Sequence, residues 1–372
     1  MRYCSKCLQP DTRPSIVFDA HGVCPACRFA EAAGDIDWAL RHRELEKIAA
    51  FGRARNTSGY DCIVGVSGGK DSTRQAMFVR DELGLNPLLV CCSYPPEQLS
   101  DRGARNISNL VSLGFDLATV SPAPQLWKKL LRYGFIRFGN WTRSTEMALY
   151  ASAPRLAIAY QIPLIFLGEN PAITVGELAT GSVTGDANRM KHANTIAGGP
   201  ESLGLTPEEA ERLFWYNYPP DEDMEMAELR IVYLGYYIED FRKRENAEFS
   251  MAHGMEVRSD PPEDIGDITG HEALDEDFVI PGQMMKHLKL GFGKVTDQVC
   301  EEIRLGRMTR EEGKRLVRLY DGKCAQKYLD RFRNYMALSQ HEFQAVLDRY
   351  RNQEIWRRGP DGNWELSADF DS

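Results

Sequence analysis

The chain has 372 residues, of which 43% are hydrophobic, and a formal net charge of −9. This length suits two or three domains, and the apolar fraction is large enough to build a sizeable core, which argues against global disorder. The acidic balance argues against a protein that coats nucleic acid, because neutralisation of phosphates by Lys and Arg supplies most of that affinity. We therefore expect no nucleic-acid partner.

The N-terminus has no apolar segment of the secretory type. The most apolar long stretch, residues 147–168, is interrupted by Pro154, Arg155 and Pro163, so we predict no membrane insertion. We expect a cytoplasmic location, where the nine cysteines are thiols or metal ligands rather than disulfides.

Two cysteine pairs stand near the N-terminus, Cys4-x2-Cys7 and Cys24-x2-Cys27, with 16 residues between them. This spacing is typical of a tetrahedral Cys4 zinc site in which each pair supplies two thiolates. No open coordination position is evident, so we expect structural Zn²⁺. The sequence thus predicts a zinc module over residues 1–34, followed by a helical connector over residues 35–58.

From residue 59 the pattern changes to apolar runs that alternate with helical periodicity. We predict strands at 61–66, 87–92, 115–120 and 163–167, and helices at 72–83, 105–113, 125–133 and 145–160. Such alternation is typical of an α/β fold with a doubly wound parallel sheet that carries helices on both faces. We assign residues 59–235 to this domain.

The rest of the chain gives weaker signals. Residues 170–204 are rich in Gly, Thr, Ser and Asn and predict a functional loop, of which 174–199 is a candidate lid. Residues 215–237 are acidic and aromatic, and we expect this stretch and residues 236–372 to be mostly helical. Thr309 and Glu312 have the spacing of a capping box, and Gly322 can end the same helix. We assign residues 236–372 to substrate or partner binding.

The run Ser67-Gly68-Gly69-Lys70-Asp71-Ser72 follows a predicted strand and begins a predicted helix. Glycines let the backbone approach phosphate oxygens closely, and the N–H groups at a helix start favour negative charge. The run differs from a Walker A loop, because only three residues separate Gly65 from Gly69 and Asp71 follows the lysine. It predicts a phosphate-binding loop of another type.

This run resembles the SGGxDS signature of the PP-loop ATP pyrophosphatases, which hold ATP on an α/β sheet and release pyrophosphate. The resemblance implies that Asp71 helps to hold Mg²⁺ and that Lys70 offsets phosphate charge, and we take both as catalytic candidates. The expected ATP-binding residues are Gly65, Val66, Ser67, Gly68, Gly69, Lys70, Asp71, Ser72, Cys92, Ser93 and Gly168.

Three further segments resemble the N-acetyl sugar amidotransferase family of the WbpG/PseA type. They are the N-terminal cysteine hairpin, the run Leu167-Gly168-Glu169-Asn170-Pro171, and residues 287–322. The resemblance implies that the acetamido oxygen of a nucleotide-linked N-acetyl sugar is adenylated and replaced by ammonia, with release of AMP and pyrophosphate. The acetamidino product would serve lipopolysaccharide O-antigen or another surface polysaccharide.

No glutaminase nucleophile signature is evident in the chain. Ammonia would therefore come from separate glutaminase and cyclase-like subunits, similar to imidazole glycerol phosphate synthase. The sequence does not identify the sugar or fix the oligomeric state, and it leaves a homodimer open.

Residues beyond the loop are harder to assign. Glu169, as a catalytic candidate, and Asn170, as a substrate ligand, would end a strand beside the nucleotide, although a capping role fits almost as well. Arg143, Lys294 and Arg304 could bind a diphosphate or a sugar carboxylate. Solvated surface charge is the commoner explanation for each of these cations.

Two other functions remain open at this point. A tRNA-thiolating PP-loop enzyme would need reactive cysteines near ATP, and only Cys91, Cys92, Cys300 and Cys324 lie outside the N-terminal pairs and the predicted strand at 61–66. A non-catalytic ATP-binding scaffold would not be expected to keep Lys70, Asp71 and Ser72 intact. Neither alternative is excluded by motif alone, since one fold supports many functions.

Overall fold

The computed structural model describes residues 1–168, 184–188, 196, 198–367 and 370. Within this part a parallel sheet has the strand order β3-β2-β1-β4-β5. Its strands are β1 Cys62–Gly65, β2 Pro87–Cys92, β3 Asp116–Val120, β4 Leu164–Leu167 and β5 Arg230–Tyr233. The order reverses beside β1, because β2 and β3 extend to one side and β4 and β5 to the other.

The first four strands confirm the predicted positions, and the fifth corrects the expectation of helix at residues 215–237. β5 is only four residues long and begins with an arginine, so no alternating or continuous apolar pattern identifies it. It forms because its backbone pairs with β4 in register, from Leu164 opposite Arg230 to Leu167 opposite Tyr233.

Helices connect the strands and cover both faces of the sheet. The helices up to β5 are α1 Pro25–Ala32, α2 Trp38–Ala54, α3 Lys70–Met77, α4 Asp101–Ser112, α5 Pro124–Phe138, α6 Thr142–Tyr160, α7 Pro207–Ala210 and α8 Asp221–Met226. A π-helical turn, Phe78–Glu82, continues α3. In the described residues no helix combines the length and apolarity needed to cross a membrane.

The strands bury side chains alternately toward two cores. Ile63, Val90 and Ile165 pack with α5 and α6 on one face. Val64 and Phe166 pack with α2, α3 and α4 on the other. This arrangement confirms the doubly wound parallel sheet, since a strand buried on both faces needs apolar residues at every position.

The C-terminal region is mostly helical, as predicted. It contains α9 Lys243–Ala252, α10 Pro262–Ile265, α11 Val279–Leu290, α12 Lys294–Arg304, α13 Arg310–Tyr320, α14 Gln326–Tyr335 and α15 Gln340–Tyr350, then a hairpin of β6 Trp356–Arg358 and β7 Trp364–Leu366. The capping box of Thr309 and Glu312 is present, and Gly322 follows α13 with φ +71°. Phe332 and Phe343 contact Phe135 of α5 at 5.1 and 5.5 Å between ring centroids, so these helices share a core with the sheet domain.

Candidate nucleotide site and metal centre

The predicted phosphate loop lies between the end of β1 and the start of α3. Gly68 has φ +79°, and a Cβ there would lie 3.0 Å from the backbone of Asn106 and Ile107, so only glycine fits. Gly69 is the N-cap of α3, and no side chain among the described residues caps this helix. The first N–H groups of α3 therefore remain for a ligand, and their dipole favours an anion.

The two serines of the loop fix its shape. The backbone N–H of Ser67 donates to Ser72 Oγ at 2.9 Å, and the two hydroxyl oxygens lie 3.4 Å apart. The loop is closed further by Thr73, whose N–H donates to the carbonyl of Gly69 at 3.0 Å. Both hydroxyls are thus held at the N-terminus of α3, where phosphate oxygens would bind.

Lys70 and Asp71 form an ion pair inside this loop. Lys70 Nζ lies 2.8 Å from Asp71 Oδ2, with 8% of the lysine side chain and 41% of the aspartate side chain exposed. Burial acts to lower the pKa of Lys70, but Asp71 and Glu272 raise it, and the pKa ends above its ordinary value. Lys70 is therefore a buried, permanent positive charge beside an accessible carboxylate.

α9 packs against α3 and supports these residues from behind. Asn246 Nδ2 donates to Asp71 Oδ1 at 2.7 Å, and Ser250 Oγ donates to the carbonyl of Lys70 at 2.7 Å. Asn246 also accepts from Arg74 Nη1 at 3.1 Å. The sequence did not predict that α9 contacts the loop, because no local signal connects residues more than 170 positions apart.

A cluster of buried charges adjoins Lys70. Lys243 lies 3.3 Å from Glu272 and 3.6 Å from Glu301, and Lys294 lies 3.4 Å from Asp267. Burial acts to raise the pKa of Glu272, but Lys243, Lys70 and Lys294 lower it well below its ordinary value. Lys243 and Lys294 are thus paired with Glu272, Glu301 and Asp267, so they act on the loop as members of a balanced charge cluster rather than as free cations.

Two cavities flank the loop, and Ser67 lines both. The larger, about 810 Å³ including its open mouth, lies where the strand order reverses, and is lined by Gly65, Val66, Asp71, Ser72, Cys92 and Gly168 among others. The smaller, about 540 Å³ including its mouth, lies on the β2 side, and its lining includes Cys92, Ser93 and Asp275. Ligands in open α/β sheets bind at this position, outside the carboxyl ends of the strands.

The structure places the remaining predicted residues as follows. Gly168 lies against the loop helix, since a Cβ there would be 3.3 Å from Cβ of Asp71. Glu169 and Asn170 lie outside the described residues, as does most of the predicted lid at 174–199. Arg143 Nη2 donates to Ser202 Oγ at 3.1 Å, so it contacts the segment that follows the predicted lid.

Arg304 lies beside the N-terminal thiols. Burial acts to lower the pKa of its guanidinium, but Cys300, Cys7 and other thiols raise it, and it ends above its ordinary value.

The thiols of Cys4, Cys7, Cys24 and Cys27 are buried and lie within 4.8 Å of one another, so they can hold a metal ion. Sulfur–sulfur distances of 3.9 Å (Cys4 to Cys27) and 3.8 Å (Cys7 to Cys24) match the edges, about 3.8 Å, of a tetrahedron with metal–sulfur bonds of about 2.3 Å.

Backbone donors support two of these thiols. The N–H of Cys24 donates to Cys4 Sγ at 3.2 Å, and the N–H of Gln9 donates to Cys7 Sγ at 3.4 Å. The cluster is not a free module, because the four cysteines share one apolar core with Val295 and Val299 of α12 and Val317 of α13.

The loop and its position at the strand-order reversal form a candidate phosphate-binding site of the PP-loop type. Residues 276–370 match the family described as LPS biosynthesis protein WbpG-like, C-terminal domain. This match confirms the resemblance to WbpG-type proteins over the C-terminal region.

No curated protein matches the chain in sequence. Among solved structures, it is similar to the U34-tRNA thiolase NcsA from Methanococcus maripaludis, solved with its 4Fe-4S cluster, at 14% identity and a TM-score of 0.34, over 86% of this chain and 87% of that one. It is also similar to NMN synthetase from Francisella tularensis, at 13% identity and a TM-score of 0.31, over 83% and 96% of the two chains. Neither similarity is strong enough to assign an activity.

Proposed function

We propose that the protein is an ATP-dependent amidotransferase that converts the acetamido group of a nucleotide-linked N-acetyl sugar into an acetamidino group, for lipopolysaccharide O-antigen or a related surface polysaccharide. The observation that carries this proposal is the presence, in one chain and one shared core, of a PP-loop site and a WbpG-like C-terminal domain. The amidotransferase activity, the sugar and the pathway belong to the proposal.

The chemistry requires ATP because an amide oxygen is a poor leaving group. The acetamido oxygen attacks the α-phosphorus of ATP, the bond from that phosphorus to pyrophosphate breaks, and an O-adenylated imidate forms. Ammonia then adds to the imidate carbon, the carbon–oxygen bond breaks, and AMP leaves with the former acetamido oxygen. A proton is lost from the added nitrogen, which leaves the acetamidino sugar.

The residues of the chain stabilise the charge that develops on the departing pyrophosphate. The N–H groups at the start of α3 and the hydroxyls of Ser67 and Ser72 would hold phosphate oxygens. Lys70 supplies a buried positive charge. Asp71 is accessible and would hold Mg²⁺, which when bound neutralises phosphate charge. Arg143, Glu169, Asn170 and Lys294 remain predicted substrate or catalytic residues, and Lys294 would act from its ion pair with Asp267.

The four N-terminal thiols are proposed to hold structural Zn²⁺. Four thiolates on one divalent ion leave a net charge of −2, and the half-buried Arg304 beside them offsets part of it. This role competes with the predicted binding of substrate by Arg304. Ammonia is proposed to come from separate glutaminase and cyclase-like subunits.

The tRNA-thiolating alternative needs a reactive thiolate near the loop. Cys92 lines both cavities, but burial raises its pKa to about 11, so the thiol stays protonated at neutral pH. Burial also raises the pKa of Cys91, and Cys300 belongs to the core around the N-terminal thiols. These environments favour the amidotransferase over sulfur transfer.

The test incubates the purified protein with Mg²⁺, ATP, ammonium and a panel of nucleotide-linked N-acetyl sugars, and follows pyrophosphate, AMP and the mass of the sugar. We expect sugar-dependent pyrophosphate and AMP, and a product in which NH has replaced one oxygen. ADP formation, or no pyrophosphate with any sugar, would refute the proposal. Thiolated tRNA formed with a sulfur donor would support the alternative.

A further inference from the structure

The segment Asp275-Glu276-Asp277 is fixed against the start of α4. The N–H of Ser100 donates to the carbonyl of Asp275 at 2.9 Å. Gly103 allows this close approach, because a Cβ there would lie 2.5 Å from the same carbonyl oxygen. The carbonyl of Asp275 is therefore held against the start of α4, the helix that also borders the smaller cavity.

Two of the three acidic residues in this segment have structural partners. The carboxylate of Glu276 accepts from the backbone N–H groups of Phe278 and Val279 at the start of α11. Asp277 pairs with Arg102 and Arg331, each at 3.0 Å, and with Arg258. Their burial is thus explained by the fold itself.

Asp275 differs from both neighbours. Among the described residues, no other residue donates a hydrogen bond to its carboxylate or forms an ion pair with it, although its side chain lines the smaller cavity. The nearby guanidinium groups of Arg102 and Arg258 bind Asp277 instead. Asp275 is half-buried, and a carboxylate that lines a cavity without a partner from another residue is available as an acceptor for a ligand.

The rest of the cavity indicates which ligand. One wall is apolar, from Leu99, Ala104 and Ile107, and Ser67 of the phosphate loop lies at the cavity's edge. A group that is joined to a polyphosphate on the loop and fills this cavity needs a flat or apolar face for the apolar wall and a hydrogen-bond donor for Asp275. A nucleoside has both properties.

We propose that the smaller cavity holds the nucleoside half of ATP and that the Asp275 carboxylate accepts a hydrogen bond from it. This inference rests on the proposed use of ATP at residues 67–72 and adds a specificity residue outside that loop. The donor is a ribose hydroxyl or the exocyclic amine of adenine, and both are open to the same acceptor.

The test measures binding of Mg²⁺ complexes of ATP, 2′-deoxyATP, 3′-deoxyATP and purine riboside triphosphate, which lacks the exocyclic amine, by calorimetry. The wild-type protein should bind at least one analogue roughly tenfold or more weakly than ATP, as expected when a hydrogen bond to a charged group is lost. Asp275→Ala should bind ATP more weakly by a similar factor and lose discrimination against that same analogue. The analogue concerned identifies the donor.

Asp277→Asn is the matched control, since it removes a neighbouring carboxylate that has structural partners. It should lower the melting temperature and leave the ratio between ATP and the analogues unchanged. The inference would be overturned if folded Asp275→Ala kept the wild-type affinity for ATP and the wild-type ratios between ATP and the analogues. It would also be overturned if this variant bound the nucleotide sugar more weakly but bound ATP as the wild type does. ATP binding without pyrophosphate release would instead count against the proposed function alone, and no binding of ATP by the wild-type protein would overturn both.

Discussion

Asn246 donates a 2.7 Å hydrogen bond to the carboxylate of Asp71, across 175 positions of sequence. The amide is buried on α9, and the carboxylate lies at the first turn of α3, where Lys70 binds its second oxygen. Both oxygens of Asp71 therefore have defined directions before any ligand arrives. Such support behind a metal-binding carboxylate fixes its orientation and raises the affinity of the site.

Asn246→Ala should weaken the use of Mg²⁺. We expect pyrophosphate release to fall roughly tenfold and the Mg²⁺ concentration at half-maximal rate to rise, because outer partners of metal ligands contribute about that much. Ser250→Ala is the control, since it removes a hydrogen bond to the backbone of Lys70 and should lower stability without changing the Mg²⁺ dependence. An unchanged Mg²⁺ titration for Asn246→Ala would exclude this positioning role.

Asp71→Ala should give a folded protein with little AMP formation. The side chain is partly exposed, so its loss leaves no cavity, and Lys70 keeps the compensating charge of Glu272. We expect a loss of at least about a hundredfold in rate, comparable to removing one electrostatic group from a preorganised site. Thermal melting checks the fold, and full AMP production by this variant would refute the Mg²⁺ role.

Gly68→Ala should damage both stability and nucleotide binding. The positive φ alone costs about 1 kcal/mol for a non-glycine residue, and the new Cβ would press on the backbone of Asn106 at 3.0 Å. Gly306→Ala is matched in conformation, with φ +68° but nothing within 4 Å, so it should show the conformational cost only. Equal melting temperatures and ATP affinities for the two variants would show that the close approach is unimportant.

Replacing Cys4 and Cys24 by serine should release one zinc ion per chain and lower the melting temperature. Because the thiols share a core with α12 and α13, the loss should also expose the C-terminal helices to proteolysis. Cys324→Ser, which changes a partly exposed thiol outside the cluster, should keep metal and stability. Elemental analysis of the purified proteins measures the metal content. Iron in place of zinc in the wild type, or an unchanged metal content in the double variant, would contradict the proposal.

Asp275→Asn should stabilise the protein at neutral pH. Burial raises the pKa of Asp275 to about 6 from its ordinary value of 3.8, although Arg258, Arg102 and Lys294 oppose this rise. A raised carboxyl pKa means that ionisation of Asp275 lowers the stability of the folded state. The stabilising effect of the protonated carboxyl is therefore full below about pH 4 and is lost as the pH rises to about 6. Two pKa units correspond to up to about 3 kcal/mol.

Melting curves of the wild type and Asp275→Asn as a function of pH check this prediction. The variant should melt higher at pH 7.5, and the difference should shrink as the pH falls toward 4. A difference that does not depend on pH would show that Asp275 does not titrate in this range. The cost at neutral pH is consistent with a residue kept for binding rather than for stability.

The sequence by itself determined the features that depend on neighbouring residues. The phosphate loop, the first four strands, the spacing of the cysteine pairs and the capping box at Thr309 all follow from local periodicity, glycine conformation and hydrogen bonds within a few positions. Each of these signals is complete within about thirty residues, so no knowledge of the packing was needed.

Only the tertiary structure decided which distant residues complete the site. The contact of Asn246 with Asp71, the position of Arg304 beside the thiols and the unpaired carboxylate of Asp275 arise where helices from the C-terminal region pack on the sheet domain and the cysteine cluster. Strand β5 belongs here too, because four residues acquire their conformation from pairing with β4. Long-range packing selects these partners, and a single sequence carries no periodic or spacing signal for contacts between residues so far apart in the chain.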